Sequence, residues 1–373
     1  MQEKDNNPVP QIKDIISVLE KLAPPPYQES YDNAGLLTGN AMDEVNGVLL
    51  CLDSTETVID EAIENNCNMV VAHHPIIFSG LKSLTGKNYV ERAVIKAIKN
   101  DVAIYAIHTN LDNVLHGVNK MICDRLGLGG ASILLPKNNL LKKLVTYAPA
   151  THSEKVRNAL FDAGAGLIGA YSNCSFNTTG TGTFKAAKDA NPYVGEKEKL
   201  HSENEIRIEV VFESRMEGEI IFNLLKNHPY EEVAYDIYGL ANKFNTVGSG
   251  MIGELPEAMP EKEMLLLLKK NMNVPVVKHT NLRGKPIKKV AVCGGAGIFL
   301  LREAIRQRAD LFVTSDVKYH EYFDADGKIV LADIGHYESE QFTAQLIMNE
   351  LKNNFSTFAL RLTNIVTNPV NYS

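Results

Sequence analysis

The five cysteines of this chain, Cys51, Cys67, Cys123, Cys174 and Cys293, are odd in number, and no two are spaced as Cys-x-x-Cys. That argues against a thiolate zinc site and against a disulfide framework. Cys51, Cys67 and Cys293 sit in apolar runs and read as small core residues. Any metal is then expected on histidine and carboxylate. No apolar run approaches the roughly 18 residues of a membrane span. The polar opening stretch MQEKDNNPVPQIKD lacks the apolar centre of a signal peptide, so a cytoplasmic protein without a membrane partner is expected. Positive charge is also short: 38 Lys and Arg against 45 Asp and Glu give a net charge of -7, which argues against a nucleic-acid groove spread over the surface. The Gly-x-Gly-x-x-Gly fingerprint is absent, so a dinucleotide site has little support.

What remains is an ordinary globular composition, 45% hydrophobic and 22% charged, over 373 residues, enough for two or three domains. Residues 11–23 place Ile12, Ile15, Ile16, Leu19 and Leu22 at helical spacing, stopped by Pro24, Pro25 and Pro26. Tyr31 to Gly39 reads as a loop or plain turn. Strands at 47–52, 69–72 and 102–107 then alternate with helices at 56–65, 89–100 and 117–126. Such alternation means βαβ units and a parallel sheet covered on both faces. From about residue 140 the order becomes β-α-β-β-α-β, that of a ferredoxin-like module. Alternation resumes with strands at 289–293, 310–313 and 329–332 and helices at 261–272, 299–308 and 338–353. The expected fold class is α/β, with a parent domain in two segments, 1–139 and 244–373, and an inserted α+β domain at 140–243.

Chemistry gathers at the ends of the predicted strands. In the stretch MVVAHHPIIF, residues 69–78, an apolar strand runs into His73 and His74 and is stopped by Pro75. Open α/β sheets bind ligands at the carboxyl ends of their strands, and two imidazoles there suggest a metal. Two histidines in an ordinary loop is the competing reading. The third strand ends in His108-Thr-Asn-Leu-Asp112, where Asp112 is the candidate carboxylate ligand and His108 a candidate for orienting another ligand. His116 is expected on the surface. His336 and Glu340, four apart at a helix start, can face one side. Gly294-Gly-Ala-Gly297 lies between strand and helix and is either an anion-binding turn or a tight packing turn. Of the other histidines, His152, His201 and His279 are expected to be solvated and His228 structural. Glu196, Glu198, Glu203 and Glu205 read as a solvated acidic loop.

Together these segments resemble a known family, the dinuclear-metal-centre proteins called GTP cyclohydrolase type 2 homologs, the Ngg-interacting-factor-like family. The likeness rests on 32-DNAGL-36, 72-AHHP-75, 108-HTNLD-112, 294-GGAG-297, Ser315-Asp316 with His320, 335-GHYESE-340 and 367-TNPV-370, and it spans essentially the whole chain. One departure is Tyr31, where the family usually has Trp. The resemblance implies a three-layer parent domain with mostly parallel sheets built from two related halves, and an insertion of PII/CutA type around 228-HPYE-231. It also implies that His73, His74, Asp112, His336 and Glu340 ligate two adjacent divalent metals. A donor set of imidazole and carboxylate without thiolate suits Zn, Fe or Mn. A homohexamer is implied as well.

The leading expectation is a metal-dependent hydrolase acting on a nucleotide-like small molecule, with opening of the guanine ring of GTP as the reaction the family name implies. His108 or His320 would shuttle protons. Asp316 would orient His320 or bind substrate, and Gly294, Gly295 and Gly297 would cradle phosphate. A phosphoesterase would use the same centre. The alternative is a non-catalytic protein that stores, senses or delivers metal, or a regulatory scaffold with the insertion as its sensor.

Overall fold

The structure is a computed structural model and describes residues 9–355 and 358–373. Residues 1–8, most of the polar opening stretch in which no signal peptide was expected, lie outside the described residues. Two compact units divide the chain, Met1–Pro136 with Asn245–Ser373, and Lys137–Phe244.

In the first unit, α1 (Ile12–Leu22) buries Ile12, Ile15 and Leu19 on one face. The Gln11 N–H donates to the Asp14 carboxylate at 2.8 Å to start the helix, and the prolines end it. Then come β1 (Gly35–Thr38), β2 (Gly47–Asp53), α2 (Glu56–Glu64), β3 (Met69–His74), α3 (Tyr89–Lys99) and β4 (Ala103–Ala106). The Thr55 hydroxyl accepts from the Val58 N–H and the Asn88 side chain from the Glu91 N–H, so both crossover helices open on a polar cap. A short helix, α4 (Thr109–Asn113), leads to α5 (Val118–Leu126) and β5 (Gly129–Lys137).

The second unit holds β6 (Leu141–Pro149), α6 (Ser153–Asp162), β7 (Phe176–Lys185), β8 (Leu200–Glu213), α7 (Glu217–Asn227) and β9 (Tyr235–Leu240). Its antiparallel sheet has the order β7-β8-β6-β9. Leu144, Val156, Leu160, Ile208, Val210 and Leu224 form its own buried core between sheet and helices.

The first unit then resumes with β10 (Phe244–Met259), α8 (Glu261–Asn271), β11 (Lys278–His279), β12 (Ile287–Val292), α9 (Leu301–Arg306), β13 (Leu311–Thr314), β14 (Val330–Asp333), α10 (His336–Glu340), α11 (Thr343–Asn354) and β15 (Ala359–Leu362). Its two sheets run β1-β4-β3-β2-β15 and β11-β14-β13-β12-β10-β5. Each has a parallel run, β4-β3-β2 with β15 at the edge in one and β14-β13-β12 in the other. Antiparallel strands flank them: β1 on β4, and β11 and β10 on the outer parallel strands of the second sheet.

Several elements differ from the sequence reading. The loop expected at 31–39 contains an edge strand, β1. β5, β10 and β15 were not expected either, because their glycines, prolines and charges dilute the apolar pattern that marked the central strands. The helix expected at 338–353 is two helices, with α10 starting at His336. Both histidines of the pair belong to β3, where a looser strand end was expected. No helix among the described residues is long and apolar enough to cross a membrane.

Candidate metal centre

The parallel strands carry the site residues at their carboxyl ends. β2 ends in Asp53, β3 in His73 and His74, and β4 is followed by His108 and then by Asp112 on α4. From the second sheet, β13 leads to Asp316 and β14 leads to α10, which bears His336 and Glu340. The ring centroids of His73 and His74 are 5.0 Å apart, and those of His74 and His336 are 5.2 Å apart. His108 stands edge-on to both His73 and His74, at 5.3 and 5.4 Å.

Each imidazole is held by its Nδ1. The Nδ1–H of His73 donates to the Ile107 carbonyl at 2.8 Å, that of His74 to Asp53 at 2.8 Å, that of His108 to Asp32 at 2.7 Å and that of His336 to Asp316 at 2.6 Å. Carbonyls and carboxylates only accept, so the proton sits on Nδ1 and the lone pair of the neutral ring is on Nε2. The Nε2 atoms of His73, His74 and His336 turn to Glu340. Its Oε1 lies 3.9 Å from His73, and its Oε2 lies 3.0 Å from His74 and 3.2 Å from His336. His73 Nε2 also lies 3.6 Å from Asp112 Oδ1.

Three sets of donors, each within 4.8 Å of one another, could hold a cation: His74, His336 and Glu340; His73, Asp112 and Glu340; and His73, His74 and His108. His73 Nε2 and Asp112 Oδ1 are buried without a hydrogen-bond partner. Such orphaned atoms are costly unless something satisfies them, and a cation between the two would do so. The donor chemistry therefore fits a divalent metal.

Charge in the cluster is unevenly distributed. Burial opposes a proton on His74, but Asp53 and Glu340 outweigh it and lift the pKa to about 9. In the same way Asp316 and Glu340 overcome burial at His336 and lift it to about 11. Burial holds His73 below its ordinary value. Burial would raise Glu340, yet its contacts with His336 and His74 and the nearby ring of His73 hold it well below the usual carboxylate range. Asp112 is pushed well up by burial and by the charge of Glu340. Asp32 is drawn down to about 2, because the hydrogen bonds of His108 and Thr109 exceed the cost of its burial.

The sequence model of the DUF34/NIF3 family, NGG1p interacting factor 3, matches residues 10–369. The chain belongs to the DUF34/NIF3 family. Among its NIF3 relatives, a Halalkalibacterium halodurans protein named GTP cyclohydrolase 1 type 2 homolog is 42% identical over 325 residues, covering 86% of this chain and 87% of the relative. A Bacillus subtilis protein of the same name is 39% identical over 338 residues, covering 90% and 89%. A solved Bacillus cereus protein related to NIF3 superposes with a TM-score of 0.85 at 35% identity, covering 98% of this chain and all of that one.

In this NIF3 chain, His73, His74, His108, Asp112, His336 and Glu340 come together in one cluster. Other expected residues are placed differently. Asp316 contacts His336, not His320. The chain turns at Asp316 with φ 56°, which aims its carboxylate back at α10. His320 lies beyond that turn on an exposed 3-10 segment, against Tyr319 and Phe323, and has no place in the cluster. The proton-shuttle role expected of it is not supported.

The glycines are not an anion cradle. The N–H groups of Gly294, Gly295 and Gly297 already donate, at 2.9 Å each, to the side chains of Asn119, Ser339 and Thr314. Gly295 has φ 62°, and a Cβ there would stand 2.5 Å from Glu340 Oε1, so glycine is needed for the close approach of that carboxylate. His116 is exposed, as expected.

Sequence reasoning missed Asp53, and it placed Asp32 in a loop and in the family-like segment 32-DNAGL-36 without giving it a role at the site. Asp53 ends a strand adjacent to the His-His strand, which was the available signal. The Thr367 hydroxyl donates to Asp53 at 2.5 Å and Asn368 to Glu338 at 2.9 Å, so the TNPV segment buttresses the cluster.

Proposed function

We propose that this chain is a dinuclear divalent-metal hydrolase. The observation that carries the reading is Glu340: one of its oxygens faces His73, whose Nε2 also lies 3.6 Å from Asp112, and the other faces His74 and His336. A carboxylate shared in this way suits two neighbouring cations, of Zn, Fe or Mn type. His73, His74, Asp112, His336 and Glu340 would hold them, with His108 near enough to join. Such a pair, when bound, supplies a water of lowered pKa and a clamp on the attacked group.

The protein's own part is positioning. Asp53, Asp316 and Asp32 lock the rings of His74, His336 and His108. Burial of Glu340 and His73 excludes bulk water from one side of the cluster. The other side opens on a cavity of about 360 Å³. At its mouth stand the exposed rings of Tyr31 and Phe78, with centroids 6.3 Å apart, and of Phe299. Flat apolar walls above a polar floor suit a substrate with a planar ring, and the name carried by the relatives directs the choice to GTP or a related nucleotide. His108, edge-on to both floor histidines and fixed by Asp32, is the residue placed to move a proton.

The reading extends to assembly and to the unit Lys137–Phe244. Its β-α-β-β-α-β order, with the two chain-terminal strands of the module adjacent in the sheet, supports an inserted ferredoxin-like module of PII/CutA type. A homohexamer belongs to the same proposal and is checked by sedimentation.

The test is elemental analysis of the purified protein beside Glu340→Ala, followed by assay of the metal-loaded parent on GTP and nucleotide phosphoesters. About two metals per chain, lost in the variant, with turnover that falls in His108→Ala while metal is kept, supports the hydrolase. Full metal loading without turnover of any nucleotide would replace it with a metal-storing or metal-sensing role.

A further inference from the structure

A second cavity, of about 400 Å³, lies wholly within the unit Lys137–Phe244. Four aromatic side chains line it, Tyr147, Phe184, Tyr193 and Tyr230. The ring of Tyr230 is 6.3 Å from Phe184 and 6.3 Å from Tyr193, centroid to centroid. His228 fixes this arrangement. Its Nε2–H donates to the Tyr147 carbonyl at 2.9 Å, and its Nδ1 accepts from the Tyr230 N–H at 3.1 Å. The loop at 186–199 is held by the Asn191 N–H, which donates to Glu231 at 2.7 Å.

Glu205 is in the wall of this cavity. The acidic segment was expected to be solvated, but Glu205 lies on β8 and is only 9% exposed. Its Oε1 accepts from the Tyr230 hydroxyl at 2.9 Å. Burial and the Glu205 carboxylate push the Tyr230 phenol above its usual value, so that hydroxyl stays a donor. Space for the carboxylate comes from Gly182, where a Cβ would stand 2.0 Å from Glu205 Oε2. Among the described residues, no Lys, Arg or His forms an ion pair with Glu205. A buried carboxylate without a cation is costly. The lining adds Glu231 and Glu232 against one cation, Lys185.

We propose that this cavity binds a small organic cation, an amine or quaternary ammonium group whose charge sits against Glu205 and whose methyl or methylene groups lie among the tyrosine and phenylalanine rings. The two requirements are met together: aromatic faces attract a cation, and the carboxylate supplies the counter-charge that the fold leaves unpaired. The size suits a ligand of choline to short-polyamine dimensions. The site uses no residue of the candidate metal centre, so it stands or falls independently of the hydrolase reading.

The experiment is calorimetric titration of the full chain with tetramethylammonium and with choline, beside 3,3-dimethylbutan-1-ol, the uncharged isostere of choline. Saturable binding of a cation, with the isostere weaker by about tenfold or more, is the expected result. Glu205→Gln and Tyr193→Ala should each weaken the cation by about tenfold. Tyr193 is on the exposed lip, so its variant keeps the test valid if Glu205→Gln fails to fold. Equal affinity for choline and its isostere, binding unchanged in Tyr193→Ala, or no saturable binding of either cation overturns the proposal.

Discussion

Glu340 and the three aspartates behind the histidines make different predictions. Glu340→Gln keeps the volume of the side chain but removes the charge that both groups of donors share, so metal content should fall toward zero at both positions. Asp53→Asn, Asp316→Asn and Asp32→Asn leave every Nε2 donor in place and loosen only the rings. Asp53→Asn and Asp316→Asn should each weaken metal affinity by about 10- to 100-fold, read by competition with a chromophoric chelator, whereas Asp32→Asn, which frees only His108, should keep the metal and lower turnover. An unchanged affinity in both Asp53→Asn and Asp316→Asn would show that the orientation of the ligand rings does not depend on these aspartates.

The pKa shifts predict how loading depends on pH. His74 near 9 and His336 near 11 carry a proton at neutral pH in the metal-free cluster, and Asp112 is shifted the same way. Donation to a metal requires those protons to leave. Affinity should therefore rise as pH rises from 6 toward 9, with proton release seen as a binding enthalpy that varies with the ionisation enthalpy of the buffer. A buffer-independent enthalpy would contradict this.

At the scale of elements, α10 is the critical piece. It is only one and a half turns long, yet it carries His336 and Glu340 on one face and rests on the turn at 294–297. Gly295→Ala puts a methyl group against Glu340 in a backbone conformation that alanine disfavours. A loss of roughly 1–3 kcal/mol in stability, together with reduced metal content, is expected from thermal melts and elemental analysis. Stability falling with metal content intact would mean that Glu340 moves aside freely.

The pattern of the elements also explains what could be read in advance. β2, β3, β12, β13 and β14 are central parallel strands, buried on both faces, and their continuous apolar runs identified them. β1, β5, β10 and β15 lie in flanking positions with mixed composition, and a window of local sequence does not distinguish them from loops. α10 and α11 merged in the sequence reading because both are helical and only a short turn separates them.

At the scale of the whole molecule, two units with separate cores should melt separately. The candidate metal centre lies in one of them, so chelation should lower the transition of the unit Met1–Pro136 with Asn245–Ser373 and leave that of Lys137–Phe244 in place. At free metal about 1,000-fold above the dissociation constant, the stabilisation removed is about 4 kcal/mol. Scanning calorimetry of metal-loaded and metal-depleted protein measures this. Equal shifts in both transitions would mean that the units unfold as one.

The sequence by itself determined the residue types and their places in the chain. With no paired cysteines, any metal was expected on imidazole and carboxylate, and the ends of apolar runs named His73, His74, Asp112, His336 and Glu340. Tertiary structure decided which neighbours those residues meet. That Glu340 lies between His73 and His74, residues 266 and more positions away, follows from two sheets presenting their carboxyl edges to each other. The same packing consumed the N–H groups of the 294–297 turn, separated His320 from Asp316, and buried Glu205 among rings drawn from four separate segments. Local spacing encodes a helix face or a strand end, but contacts between distant segments depend on how whole elements pack, and no short window of sequence contains them.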